Sequence, residues 1–441
     1  MRSDDRPTDT PAYPPNTYAW LVLAIMLGVY TYSFVDRQIL GLLVEPIKSQ
    51  LHISDTQLGI LQGTSYALFY SLLGIPIGLL TDRYNRRNII VAGLLLWSAA
   101  TALCGLADSF WEFFVTRAAV GIGEACLAPA AFSILSDYFR PQLRGRAFTV
   151  YTSGVYVGAG LAFVVGSRAL LLGQPGAEFL RHLGLATAPW QSVFILIGLA
   201  GVVLSPVLLF VREPLRHERL AHSLSSVGLR AAMSFFRQRI DFLLPFVAAL
   251  SCVAISNNAF FAWTPVMLQR IHGWQIQNAG YVFGSLLMVF GPVGMIAAGV
   301  LVDARGSPDP KRFAVLLAAT GVAAVIPFAL IAGFSRGSSG SLIGLGGLAF
   351  CMSIPITMAP FVIQALMPNQ FRGIAISVYV LIVNLTGLGV GPTTAGFISD
   401  RLLHEHSIGH ALAIMAALLL PVSTSLFLIA ARSLKGDRGR N

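Results

Sequence analysis

Twelve long apolar runs, separated by short polar segments, constrain this chain more than any other feature of its sequence. Within a few residues at each end they are 18–45, 55–81, 88–107, 111–138, 146–172, 190–211, 241–268, 276–302, 312–334, 341–366, 373–399 and 409–431. A helix crossing the hydrocarbon core of a bilayer needs about 20 predominantly apolar residues, and every run supplies that length. Runs such as 318–333 show no alternation of polar and apolar residues, which sets them apart from the strands of a membrane β-barrel. The composition agrees: 55% of residues are hydrophobic and 11% are charged, where a soluble domain carries about 25% charged residues. The expected fold is an all-α membrane protein with twelve transmembrane helices. A soluble enzyme, a disordered chain and a disulfide scaffold are excluded. Cys104, Cys126, Cys252 and Cys351 all lie inside apolar runs, and no CxxC or His/Cys cluster suggests a metal site. No cofactor and no metal are implied.

Charge distribution sets the orientation. Lys and Arg exceed Asp and Glu by ten, and in a soluble chain that excess would suggest nucleic acid. Here the basic residues fall in loops. With the N-terminus placed in the cytoplasm, cytoplasmic segments hold 22 basic residues and outer segments six, while Arg37 and Arg117 lie within spans. This asymmetry places both termini in the cytoplasm. The expected layout is a polar tail (1–17), a six-helix bundle (18–211), a cytoplasmic linker (212–240), a second six-helix bundle (241–431) and a short tail (432–441). Within the linker, 224–236 reads equally as a short interfacial helix or as plain connection. The first 17 residues are polar and Pro-rich and do not resemble a cleavable signal peptide.

An internal repeat supports the division into halves. A shift of 221 residues places Gly59 on Gly280, Gly63 on Gly284, Gly78 on Gly299 and Asp82 on Asp303. A shift of 228 places Arg144 on Arg372 and Gly145 on Gly373. Parallel six-helix repeats are one architecture of secondary transporters.

The segment Gly78-Leu-Leu-Thr-Asp82-Arg83-Tyr-Asn-Arg86-Arg87 resembles the loop signature that follows the second span in the major facilitator superfamily, with Asn85 in place of a glycine. Asn also tolerates a left-handed turn. The resemblance implies two six-helix bundles related by pseudo-two-fold symmetry, a central cavity and alternating access. On this reading Gly78, Asp82, Arg83, Arg86, Arg87, Arg144 and Arg146 form a latch on the cytoplasmic side.

Charges inside spans are costly and are functional candidates by default. Span 1 holds Asp36 and Arg37. Span 4 holds Arg117, Gly121 and Glu124 at i, i+4 and i+7, which puts them on one helix face. At 1.5 Å per residue, Asp36 lies about 6 Å and Arg117 about 10 Å outward of mid-span, with Glu124 near the centre. Those depths allow an Asp36–Arg117 pair and an Arg37–Glu124 contact. The four charges read either as a static packing network or as a working site. The second half has no charge near mid-membrane and offers Asn257, Asn258, Thr264, Asn384 and Thr386, with Phe260, Phe261, Trp263 and Met358 nearby. A cavity with one charged wall and one apolar, amide-bearing wall suits a ligand with a polar head and a greasy tail.

The Phe-Val-Asp-Arg segment of span 1, Ser54-Asp-Thr-Gln-Leu-Gly and Gly121-Ile-Gly-Glu-Ala are similar to the spinster-type branch of the superfamily. This implies proton-coupled transport of an amphipathic, lipid-like substrate of the lysophospholipid or sphingoid-phosphate type. The partners are then that molecule, protons and membrane lipids, with no nucleic acid, and the transporter is expected as a monomer. Asp36 and Glu124 are the expected proton-coupling residues. Arg37, Arg117, Glu124, Asn257, Asn258, Phe260, Trp263 and Asn384 are the expected substrate contacts. The alternative substrate class is drugs or small organic anions moved by an exporter. With 27 Arg and 3 Lys the chain reads as bacterial, which places it in the inner membrane. The absence of GxxxxGK[ST], HExxH and GxSxG motifs argues against an ATP-driven pump and an enzyme.

Overall fold

The computed structural model describes residues 13–185, 187–216, 234–304, 309–367, 372–403 and 408–436. Among them no strand occurs, and eleven helices are long and apolar enough to cross a membrane. They include Asn16–Leu42 (span 1), Arg86–Cys104 (span 3), Ile240–His272 (span 7), Ile276–Ala304 (span 8) and Pro310–Phe334 (span 9). Span 2 is the twelfth, a continuous helical rod whose middle turn is wider than its ends: α-helix at Asp55–Gly59, π-helix at Ile60–Thr64, and α-helix at Ser65–Arg83.

Span 5 runs unbroken over Pro141–Ala169 through its glycines, and span 10 runs over Ser338–Leu366 through Pro355 and Pro360. Span 4 is the one that breaks, into Phe110–Glu124 and Leu127–Tyr138, just after Glu124. Asn85 does not take the left-handed turn its replacement of glycine suggested. It has φ −66° and caps span 3, its side chain accepting from Asn88 N at 3.0 Å. In the linker, 217–233 lie outside the described residues, and with them most of the segment considered for an interfacial helix.

The two bundles meet along two seams: span 2 against span 11 (Arg372–Leu402), and span 5 against span 8. The repeated pairs Gly59/Gly280 and Gly63/Gly284 lie in these seams. A Cβ on Gly59 would strike the carbonyl of Pro392, one on Gly63 that of Leu388, and one on Gly284 that of Gly160. The bundles therefore touch backbone to backbone. Further along the same helices, Gly74, Gly78 and Gly299 face open space, while Leu80 and Val378 are 44% and 42% exposed. The molecule is closed at the end carrying residues 51, 272 and 402, here called the far end. Among the described residues the bundles stand apart at the near end, where the described chain begins and finishes.

Candidate functional site

The four intramembrane charges come together inside the first bundle. Arg37 Nε donates to Glu124 Oε2 at 2.7 Å, and Arg37 Nη2 lies 2.6 Å from the same oxygen in an ion pair. Arg117 Nη1 lies 3.6 Å from Asp36 Oδ1, an ionic contact too long for a hydrogen bond. The other oxygen of Asp36 accepts from the hydroxyl of Thr101 in span 3. Both pairings allowed by the helix depths are made. Asp36, Arg117 and Glu124 are buried, whereas the Arg37 side chain is 17% exposed.

Satisfaction of these groups is incomplete. Asp36 Oδ1, Glu124 Oε1 and all three guanidinium nitrogens of Arg117 have no hydrogen-bond partner among the described residues. A buried polar group left unpaired costs about 1–3 kcal/mol, and more when charged. The cluster is thus held together by charge while keeping capacity to receive a proton or an anion.

Aromatic rings frame Arg37. Its guanidinium carbon lies 5.1 Å from the Phe34 ring centroid, 4.9 Å from that of Tyr66 and 5.7 Å from that of Tyr70. Within about 6 Å such rings attract a cation through their quadrupole. Tyr66 also donates its hydroxyl to Glu124 Oε2 at 2.7 Å, and its ring lies 5.9 Å from Arg117. The Gly121-Ile-Gly-Glu segment makes this approach possible. A Cβ on Gly121 would collide with the carbonyl of Tyr66, and one on Gly123 with the backbone of Trp97. Spans 2 and 3 therefore close on span 4 beside Glu124.

The opposite wall is less assembled. Asn257, Asn258 and Asn384 are partly buried, and Asn258 Nδ2 donates to Ala254 O at 2.9 Å within its own helix. Phe260 and Trp263 are buried, and Trp263 Nε1 donates to Pro392 O at 2.9 Å, fastening span 7 to span 11. Among the described residues, no hydrogen bond or ion pair links these five to the charge cluster.

Arg86, Arg87 and Arg144 contact the first bundle and the start of the linker. Arg86 is buried, donating from Nη1 to Asp137 at 2.5 Å and from Nε to Glu213 at 2.7 Å. Arg87 lies along Asn88 with its backbone N–H on Glu213, and Arg144 donates to Phe139 O. Arg83 and Arg146 are exposed, and the side chain of Asp82 lies outside the described set.

Sequence reasoning missed the far-end clasp. Arg270 of span 7 reaches Asp55 with Nη1 and Nη2 at 2.6 and 2.9 Å, and Glu45 with Nε at 2.7 Å. Lys48 and Ser399 also donate to Asp55, at 2.9 and 3.0 Å. Asp400, at the end of span 11, accepts from the backbone N–H groups of Asp55 and Thr56 at 3.1 and 2.6 Å and from the Thr56 hydroxyl. It caps the first turn of span 2 from the other bundle. The sequence signal was available in Ser54–Gly59, where nearly every residue has a task. Ser54 and Gln57 form a capping box, Leu58 is buried, and Gly59 meets span 11.

Comparison with known proteins agrees with this architecture. The Major Facilitator Superfamily pattern matches residues 26–392. An "MFS-type efflux pump" of Mycolicibacterium smegmatis is 27% identical over 424 residues, covering 95% of this chain and 94% of that protein. Human "Protein spinster homolog 1" is 25% identical over 404 residues, covering 87% of this chain and 73% of that one. A solved bacterial homologue of the human lysosomal transporter spinster, described as inward-facing and unoccupied, superimposes with a TM-score of 0.82. It is 25% identical, and the match covers 96% of this chain and 99% of that structure. Twelve spans in two bundles, glycine seams between them and a charge cluster in the first bundle thus identify a transporter: the chain belongs to the major facilitator superfamily and is of the spinster type within it.

Proposed function

We propose that this transporter moves an amphipathic, lipid-like molecule with an anionic head, of the lysophospholipid or sphingoid-phosphate type, and couples that movement to protons. The observation that carries the reading is Arg37. It is a partly exposed guanidinium in an aromatic frame, and an otherwise buried carboxylate holds it in place. Protonation of Glu124 neutralises its hold on Arg37, and the freed fork can take a phosphate or carboxylate head bidentately. Asp36 and Arg117 repeat the arrangement one layer further out. The near end is assigned to the cytoplasm by the excess of basic residues there, so the described state is inward-facing, in a bacterial inner membrane. Gly78, Asp82 and the near-end arginines are proposed to close that side in the opposite state, while Asn257, Asn258 and Asn384 meet the substrate from the second bundle.

The test is flux of a fluorescent lysophospholipid in liposomes with an imposed pH gradient. Asp36→Asn and Glu124→Gln are each expected to lower gradient-driven transport at least tenfold. Full retention in both variants refutes the coupling assignment. Similarity to the mycobacterial efflux pump along nearly the whole chain favours a second reading, export of drugs or small organic anions. Gradient-driven flux of such an anion, with none of the lysolipid, decides for it.

A further inference from the structure

We propose that Tyr66 is the positioning residue that keeps the Glu124 carboxylate on Arg37, its phenol setting the proton concentration at which that pair parts. The proposal rests on the reading of Glu124 as a proton carrier. Glu124 uses its two oxygens unequally. Oε2 accepts from Arg37 Nε and from the Tyr66 hydroxyl, each at 2.7 Å, with Arg37 Nη2 2.6 Å away in the ion pair, while among the described residues buried Oε1 takes no donor. An ionised carboxylate only accepts, so the phenol must be the donor in this state. A hydronium ion delivers the proton: an O–H bond forms at the bare Oε1, one O–H bond of the hydronium breaks, and water leaves. What the proton removes is the charge assistance that makes such contacts about twice as strong as neutral ones.

The remaining groups around Glu124 do not share this role. The charges facing it are Asp36 and Arg37 of span 1 and Arg117 of its own helix. The other titratable neighbours are Tyr30 and Tyr32 of span 1, Tyr70 of span 2 and Cys126 of span 4. Of all these, only Arg37 hydrogen-bonds the carboxylate. Tyr66 is fixed for its task. It is 1% exposed, its ring stacks on Tyr70 at 5.4 Å, and its backbone rests against Gly121.

Infrared titration of the full-length protein tests this. The protonated-carboxyl band that Glu124→Gln abolishes is the band of Glu124. In Tyr66→Phe, which keeps the ring against both guanidinium groups, that band is expected to persist to a pH about one unit higher, a tenfold lower proton concentration, as for loss of one hydrogen bond to a charged group. Labelling with 3-fluorotyrosine, a stronger donor in an unaltered chain, is expected to move the band the other way, and keeps the test alive if Tyr66→Phe fails to fold. Unchanged titration in either preparation overturns the proposal, as does a Glu124 band that never changes with pH. Flux in liposomes is scored separately. A wild-type protein with a shifting band but no gradient-driven flux removes the transport reading and leaves the role of Tyr66 in place.

Discussion

Arg117 is a buried charge with little direct compensation. Its guanidinium is fully buried, has no hydrogen-bond partner among the described residues, and is compensated by Asp36 at 3.6 Å and by the face of Tyr66. Breaking a buried pair by removing one partner costs about 3–5 kcal/mol, whereas neutralising both together is often mild. Asp36→Asn and Arg117→Met are each expected to lower the thermal unfolding temperature of the purified protein. The double variant should lose clearly less than the sum, and additive losses would show that the two charges do not compensate each other. The four charges were legible in the sequence because an ionised residue inside an apolar run stands out. Tyr66 and Thr101 were not, because a tyrosine or threonine in a span is ordinary. Their importance lies in contacts with Glu124 and Asp36, 58 and 65 residues away.

Span 2 is the element that ties the parts together. One end is clamped by Asp400 and Arg270 from the second bundle, its π-turn packs on span 11, and Tyr66 in the following turn holds Glu124. π-turns inside helices are frequent at functional sites, because the extra residue leaves the ladder free to shift register. Asp400→Ala removes the acceptor for three donors at the first turn. A cysteine placed at Thr393 in an otherwise cysteine-free protein is then expected to react several-fold faster with a hydrophilic maleimide added from the far side. An unchanged rate would mean that the clasp does not govern opening. Arg86 acts within one bundle instead. Arg86→Ala removes the buried ion pair with Asp137 and is expected to destabilise the first bundle, read as a lower unfolding temperature without a change in far-side labelling. The helix limits were well signalled by hydropathy, but the break in span 4 was not. It follows Glu124 and lies just before Pro129, which lacks the N–H that an unbroken helix would donate to the Ala125 carbonyl, while packing against spans 2 and 3 accounts for the glycines before it.

At the scale of the whole molecule, architecture was readable and state was not. Hydropathy supplies the twelve spans and the 221-residue repeat supplies the two halves. Which end is shut depends on small differences between two packings of the same surfaces, and no local pattern records such differences. The seams do make the two states separable by the smallest possible change. Gly59 and Gly63 are jammed against carbonyls of span 11, while Gly78 on the same rod has nothing within 4 Å of an added Cβ. One methyl group at Gly59 should act as a wedge against the observed shape, and one at Gly78 as a wedge against the shape not observed. Spin-label distances across each end are expected to widen at the far end for Gly59→Ala and to stay at the present near-end opening for Gly78→Ala. A carrier whose halves meet through bare main chain can be arrested at either half of its cycle by a single carbon atom, with its charges and its binding groups untouched.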